Sequence, residues 1–227
     1  CIYTIPNFQN PSGTTLAAGR RGELVEIAND YDLLIIEDDA YFDLYFTEEA
    51  RPVPLAALRP ERVVYLGTFS KVLAPGLRSA YLRAPEKIAE KVETAKEGTD
   101  LSSSVLDQAI VMEVIRSGLI EKRLPYLREF YKTRCRAMLD ALGAHAPAIA
   151  RWTEPLGGFF ILMELARDVS ATGLLMRAIE NGVAYVPGQP FFVDGSGDNT
   201  LRLAYSKESP ENIAEGVRRM CGVLQQA

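Results

Sequence analysis

The sequence predicts an α/β fold, in which helices cover both faces of a largely parallel sheet, followed by a smaller α+β domain. Residues 33–36 and 63–66 are continuous apolar runs, which are typical of strands buried on both faces of a sheet. A helical pattern precedes the first of these runs, and polar residues cluster where each run ends. Strands that alternate with helices in this way predict a doubly wound sheet, whose ligands bind beyond the carboxyl ends of the strands.

The first third of the chain shows this alternation. Residues 1–5 predict a first strand, which ends at Pro6. The helix that follows has an apolar face formed by residues three or four positions apart. These residues are Leu24, Ile27, Ala28 and Tyr31. The runs at 33–36 and 63–66 predict the next two strands, and residues 77–82 are a candidate for one more.

The rest of the chain is first helical and then mixed. The predicted helices of the middle segment are 86–97, 105–116 and 119–142. The elements predicted after Pro147 are strands at 159–163, 183–186 and 201–205 and helices at 171–181 and 210–225. We therefore predict two domains, the first over residues 1–118 and a smaller one over 119–227 that begins with a long connecting helix.

Composition excludes several classes of protein. The 227 residues are 48% hydrophobic and carry a net charge of −5, so neither intrinsic disorder nor the basic footprint of a nucleic-acid-binding protein is expected. No apolar run reaches the roughly 18 residues of a membrane-spanning helix. The three widely spaced cysteines form no disulfide or zinc pattern, and the single histidine excludes a multi-histidine metal site. These features favour a cytoplasmic protein without a metal.

The polar clusters carry the functional prediction. Because the carboxyl ends of parallel strands share one edge of a sheet, the segments after residues 5, 36 and 66 are expected to face one crevice. The motifs in and after them are, in order, Asn10-Pro11-Ser12-Gly13, Asp38-Asp39-Ala40-Tyr41, Thr68-Phe69-Ser70-Lys71, Arg78 and Leu201-Arg202-Leu203. This series resembles the fold-type I pyridoxal 5'-phosphate (PLP) aminotransferases of class I/II, in particular the 2-aminoadipate/kynurenine aminotransferase branch.

The resemblance gives Lys71 and Asp38 the central roles. Lys71 is the expected Schiff-base lysine, because PLP chemistry needs an amine that acts as nucleophile and base, and burial lowers the pKa of a lysine. Asp38 is the expected partner of the pyridine nitrogen, whose protonation a nearby carboxylate favours. Strand alternation puts only one parity of residues 37–39 in the crevice. The motif spacing selects Asp38, so Glu37 and Asp39 are expected to be solvated acidic residues.

The resemblance also assigns the remaining cofactor and substrate contacts. Asn10 and Tyr41 are expected to donate hydrogen bonds to the phenolate oxygen of PLP, and Tyr41 is counted with Lys71 and Asp38 among the catalytic residues. The expected phosphate ligands are Thr68, Ser70 and Arg78, since arginine and hydroxyl groups match phosphate oxygens. Arg202 and Asn10 are expected to bind the α-carboxylate of an amino acid, although alternation within its strand leaves open whether Arg202 lines a site or points outward.

The implied fold is the three-layer αβα large domain of the PLP transferases, present here incompletely, with a small C-terminal domain. The implied reaction is amino transfer from an α-amino acid to a 2-oxo acid, in a cytoplasmic homodimer. The alternatives are the PLP-binding effector domain of a GntR-type transcriptional regulator and a PLP-dependent lyase. The chain begins within a predicted strand and without a methionine, so we expect a fragment that lacks an N-terminal half and is inactive alone.

Overall fold

The structure is a computed structural model that describes residues 1–146, 148–166 and 168–225. Its secondary structure is mixed, with helices and two four-stranded sheets in the described residues, and the predicted α/β class is confirmed. No helix of the described residues is both long enough and apolar enough to cross a membrane.

The chain divides into two compact units. The first unit comprises Cys1–Asn7 and Thr15–Leu127, and the second comprises Phe8–Thr14 together with the chain from Arg128 onward. The division therefore falls inside a long helix, nine residues beyond the boundary predicted at 118. A short loop from the start of the chain also belongs to the second unit.

The first unit contains a sheet whose strand order follows the sequence. Its strands are β1 (Ile2–Thr4), β2 (Ile35–Asp38), β3 (Val63–Thr68) and β4 (Ala80–Arg83). The first three strands are parallel and β4 is antiparallel to β3. Because β1, β2 and β3 run in one direction, their carboxyl ends lie at the same edge of the sheet.

Helices connect and follow these strands. They are α1 (Ala18–Asp30), α2 (Leu55–Leu58), α3 (Glu86–Asp100), α4 (Val105–Arg116) and α5 (Leu119–His145). The hydroxyl of Ser104 accepts a hydrogen bond from the backbone N–H of Asp107 at 3.3 Å, so it caps α4. Helix α5 runs from the first unit into the second.

The buried face of α1 differs from the prediction. Ile27 is 49% exposed and Tyr31 is 74% exposed, so two of the four residues of the predicted apolar face are not buried. The buried residues of α1 are Arg21, Val25 and Ala28. The spacing of apolar residues did not predict this face, because one of its positions is occupied by Arg21. The guanidinium of Arg21 is buried, where it donates hydrogen bonds to backbone carbonyl oxygens.

The second unit contains an antiparallel sheet in the strand order β5-β6-β8-β7. Its strands are β5 (Ala150–Trp152), β6 (Phe160–Leu165), β7 (Val186–Pro187) and β8 (Thr200–Ala204), and its helices besides α5 are α6 (Ala171–Glu180) and α7 (Pro210–Leu224). Strand β5 was not predicted, and β7 is shorter than the predicted strand at 183–186. The core of this unit includes Ile161 and Met163 of β6 and Leu201 of β8, which are fully buried.

Candidate active site

The carboxyl ends of β2 and β3 lie side by side in the first unit. Asp38 is the last residue of β2 and pairs in register with Leu66 of β3. The backbone N–H of Asp39 continues this pairing, since it donates to the Leu66 carbonyl oxygen at 3.0 Å. Asp38 is therefore next to the end of the strand that leads into Thr68 and the segment containing Lys71.

Alternation along β2 separates Asp38 from its acidic neighbours. Ile35, Glu37 and Asp39 are buried, whereas Ile36 and Asp38 are half-buried and project from the opposite face. The phenol of Tyr3 in β1 donates a hydrogen bond of 2.6 Å to Oδ2 of Asp38. Asp38, which the motif spacing selected, thus lies on one face of β2, and Glu37 and Asp39 lie on the other.

The segment after β3 folds back on itself. The Thr68 hydroxyl lies 3.0 Å from the Ser70 hydroxyl and 3.3 Å from the Ser79 carbonyl oxygen. The backbone N–H of Phe69 donates to the same carbonyl at 3.2 Å. Arg78, which precedes Ser79, has a left-handed backbone (φ 49°) and an exposed side chain. These contacts bring the hydroxyl groups of Thr68 and Ser70 and the carbonyl oxygen of Ser79 into one cluster, and Arg78 is the residue next to it in the chain.

Lys71 and Tyr41 each follow a strand of the first unit by three residues. Lys71 is half-buried. Tyr41 is 7% exposed, and its carbonyl oxygen accepts a hydrogen bond from the Leu44 N–H at 2.9 Å, which closes a turn after β2. The ammonium and phenol groups therefore come from the loops at the same edge of the sheet as Asp38.

Arg202 and Asn10 are in contact within the second unit. Nη1 of Arg202 donates to Oδ1 of Asn10 at 2.7 Å. The guanidinium carbon lies 4.4 Å from the centre of the Phe160 ring and 5.3 Å from that of Phe191. Two cation–π contacts and a hydrogen bond hold the orientation of this guanidinium.

Alternation in β8 gives Arg202 a defined face. Leu201 is fully buried and Leu203 is 6% exposed, and both point into the core of the second unit. Arg202 projects from the opposite face, where it is half-buried. Within this unit, Arg202 packs on the aromatic rings of Phe160 and Phe191.

The loop that carries Asn10 is held against β6. Gly13 has φ +68°, and a Cβ at this position would lie 2.3 Å from the Phe160 carbonyl oxygen. Only glycine adopts this backbone with so close a neighbour. The Gly13 N–H donates to the Gln9 carbonyl at 2.6 Å, and the Asn10–Pro11 peptide bond is cis. The tight turn fixes the position of the Asn10 amide.

The prediction that Glu37 and Asp39 are solvated is wrong. Glu37 is fully buried, and its carboxylate accepts the backbone N–H groups of Leu55 at 2.8 Å and Ala56 at 2.9 Å. Asp39 is 3% exposed, and its Oδ1 accepts a hydrogen bond of 2.7 Å from Nδ2 of Asn7. Both side chains satisfy backbone or amide donors that burial would otherwise leave unpaired.

Arg21 completes this buried polar network. Its guanidinium donates to the carbonyl oxygens of Leu16 and Val53, both at 2.9 Å, and of Pro6 at 3.2 Å. It also donates to the side-chain oxygen of Asn7. Arg21 therefore ties the end of β1 to α1 and to the segment before α2. The spacing of residues in the sequence does not predict these hydrogen bonds, because they join residues far apart in the chain.

Asp39 gives the stability of the protein a testable pH dependence. Burial raises its pKa from 3.8 to about 7, with a further increase from Glu37 and opposing effects from Asn7, Tyr65 and Arg21. Between about pH 4 and 7 the folded state holds a proton that the unfolded state has lost, so stability falls as pH rises through this window. We expect Asp39→Asn, which still accepts from Asn7, to reduce this slope and to raise the thermal midpoint at pH 8.

Thermal unfolding of the whole protein between pH 5 and 8 measures this effect. The difference in the free energy of unfolding between Asp39→Asn and the wild type should be about 1 kcal/mol more favourable to the variant at pH 8 than at pH 5. Burial also raises the pKa of Glu37, so some slope remains in the variant. Asp30→Asn, at the exposed end of α1, is the control and should leave the slope unchanged. An Asp39→Asn slope equal to that of the wild type would contradict the prediction.

Comparison with known proteins defines the family. A family model described as "Aminotransferase class I and II" matches residues 2–220, so the chain belongs to this family and the resemblance drawn from the motifs is confirmed. The chain is 45% identical over 227 residues to the 2-aminoadipate transaminase of Thermus thermophilus, covering 99% of this chain and 57% of the relative. It is 40% identical over 227 residues to aromatic-amino-acid aminotransferase 1 of Thermococcus litoralis, covering 99% of this chain and 54% of the relative.

Solved structures agree with the family assignment. The α-aminoadipate aminotransferase LysN of Thermus thermophilus, complexed with N-(5'-phosphopyridoxyl)-L-leucine, superposes with a TM-score of 0.94 at 44% identity, covering 99% of this chain and 58% of that one.

The relatives also include transcriptional regulators. An uncharacterized HTH-type transcriptional regulator of Bacillus subtilis is 37% identical over 218 residues, covering 96% of this chain and 44% of the relative. The chain thus spans about half the length of the curated relatives it matches.

Proposed function

We propose that the protein containing this chain is a PLP-dependent aminotransferase, which transfers an amino group from an α-amino acid to a 2-oxo acid. The observation that carries the proposal is the position of Asp38 at the end of β2 and of Lys71 three residues beyond the end of the neighbouring parallel strand β3. A carboxylate and an amine at one sheet edge are the two groups that a pyridine aldehyde cofactor needs from a protein. The family and the relatives that act on 2-aminoadipate and aromatic amino acids support the same conclusion.

The donor set of the first unit fits PLP. The hydroxyl cluster of Thr68 and Ser70, together with the guanidinium of Arg78, offers neutral and cationic donors suited to a phosphate. Asp38 would hold the ring nitrogen, and Tyr41 the phenolate oxygen. Lys71 would hold the cofactor covalently.

Each residue has a task that follows from its chemistry. When bound, PLP would supply an electron sink for the bonds at the substrate α-carbon. Asp38, as an anion, favours a proton on the ring nitrogen. The Lys71 amine would remove and return the proton at the substrate α-carbon.

Arg202 is proposed to select substrates that carry an α-carboxylate. Its planar guanidinium presents paired N–H donors to a carboxylate, and Asn10, Phe160 and Phe191 already fix its orientation. The site therefore accepts α-amino acids and their 2-oxo acids. From the resemblance we also propose that the whole protein is a cytoplasmic homodimer and uses 2-aminoadipate or aromatic amino acids, with 2-oxoglutarate as acceptor.

A second candidate function is ligand sensing in a transcriptional regulator. The identity of 37% to the Bacillus subtilis regulator supports it. In that case the same residues would hold PLP without sustained turnover. The net charge of −5 means that a separate, basic segment would have to contact DNA.

Borohydride reduction tests the proposal. The whole protein is incubated with PLP, reduced, digested and mapped by mass spectrometry, and amino transfer to 2-oxoglutarate is assayed in parallel. We expect a phosphopyridoxyl adduct on Lys71 together with turnover of 2-aminoadipate or an aromatic amino acid. An adduct on Lys71 without turnover would favour the regulator. The absence of an adduct on Lys71 would overturn both candidates.

A further inference from the structure

Tyr3 is placed beside Asp38 by the register of the sheet. In the parallel pair β1–β2, Tyr3 is opposite Ile36. Side chains two residues apart in a strand share a face, so Tyr3 projects on the same side as Ile36 and Asp38. Its phenol oxygen reaches Oδ2 of Asp38 at 2.6 Å, a short distance of the kind seen when a neutral hydroxyl donates to a carboxylate.

We propose that Tyr3 is a positioning residue for Asp38: its hydroxyl holds one carboxylate oxygen, so that Oδ1 is kept for the protonated ring nitrogen of PLP. The inference rests on the proposed function, because it takes Asp38 as the partner of that nitrogen. Among the described residues, Tyr3 is the side chain whose hydrogen bond fixes the Asp38 carboxylate. None of the motifs that indicated the family includes Tyr3.

The chemistry of the phenol suits this task. The hydrogen bond to Asp38, with burial and the negative charge of Asp38, raises the pKa of Tyr3 to about 12. The hydroxyl therefore stays protonated and remains a donor across the pH range in which an enzyme works. A neutral donor also leaves the charge of Asp38 intact, whereas a cationic partner would compete with the ring nitrogen for the carboxylate.

The hydrogen bond from Tyr3 has two opposing effects on Asp38 as a partner for the ring nitrogen. Donation to Oδ2 draws charge from the carboxylate, which weakens it as a partner for the ring nitrogen. It also removes the rotational freedom of a carboxylate at the end of a strand, which strengthens the bond made by Oδ1. Orientation dominates because the ion pair with the ring nitrogen depends steeply on distance and angle, whereas one neutral donor leaves a full negative charge in place.

Tyr3→Phe removes the hydroxyl and keeps the ring. In the whole protein loaded with PLP that is labelled with ¹⁵N in the ring, we expect the ¹⁵N chemical shift to move toward the unprotonated value. The dissociation constant for PLP should rise about tenfold, the factor equivalent to 1.4 kcal/mol. Tyr31→Phe removes the exposed phenol of the residue that follows α1 and should change neither quantity.

A double-mutant comparison separates positioning from a general structural role. In an Asp38→Ala background, Tyr3→Phe should change the PLP dissociation constant less than twofold, since the group it positions is gone. Equal losses in both backgrounds, or a wild-type ¹⁵N shift in Tyr3→Phe, would overturn the inference while Lys71 still forms its adduct. Failure of the wild-type protein to form that adduct would instead overturn the proposed function.

Discussion

Replacing Lys71 with alanine is expected to abolish borohydride trapping of PLP and to lower kcat/KM for amino transfer by about 10⁴-fold or more. Two contributions are lost together: the covalent attachment of the cofactor and the base that moves the α-carbon proton. A positioned general base alone contributes about 10²–10⁴-fold, and covalent catalysis adds to it. Peptide mapping of the reduced variant and steady-state kinetics measure the two losses.

Two control variants make the Lys71 result specific. Lys71→Arg keeps the positive charge but replaces the amine with a guanidinium, which stays protonated and acts neither as nucleophile nor as base, so it should be as inactive as Lys71→Ala. Lys87→Ala removes an exposed lysine from α3 and should retain both the adduct and the activity. Residual activity of Lys71→Arg near the wild-type level would show that another residue acts as the base.

Local patterns predicted the elements that position the first part of the site. The apolar runs at 33–36 and 63–66 became β2 and β3, although both strands extend further into the polar motifs than the runs themselves. Asp38 is in fact the last residue of β2 and Thr68 the last of β3. The motif spacing was informative because strand alternation converts a difference of one residue into a difference of face.

The buried network could not be predicted in the same way. Glu37 and Asp39 belong to an acidic run that is ordinarily solvated, and Arg21 interrupts an apolar helix face. Their burial depends on partners 14 to 32 residues away, such as the Asn7 side chain and the Val53 carbonyl. Secondary-structure propensity and hydrophobic periodicity depend on neighbours along the chain, so they do not predict hydrogen bonds between residues far apart in the sequence.

The loop that carries Asn10 shows a further limit. It follows β1 in sequence, so local patterns predict no contact between this loop and the C-terminal part of the chain. In the structure, residues 8–14 belong to the second unit, where Gly13 fits against Phe160 and Gly158 against Phe8. A loop can leave the domain of its own strand when glycines permit close backbone approach to a distant segment.

The second large effect is expected at Arg202. Arg202→Leu should lower kcat/KM for an amino acid by about 10²–10³-fold, because losing one partner of a hydrogen-bonded charge pair costs about 2–5 kcal/mol. The loss should fall mainly on KM, since the carboxylate is bound before and during the reaction. Adduct formation on Lys71 should persist, because Lys71 is proposed to react with the cofactor itself, whereas Arg202 is proposed to bind the carboxylate of the substrate.

Arg202→Lys distinguishes the paired N–H donors of the guanidinium from its charge alone. A lysine keeps the charge but lacks the planar fork that matches a carboxylate, so its loss should lie between those of the wild type and Arg202→Leu. Arg218→Lys, in an exposed ion pair with Glu215 on α7, is the matched control and should be neutral because surface pairs contribute little. An amine donor that lacks the α-carboxylate should react equally with wild type and Arg202→Leu. If that amine also lost activity by 10²-fold, Arg202 would be needed for the fold of the site and its role as carboxylate ligand would be rejected.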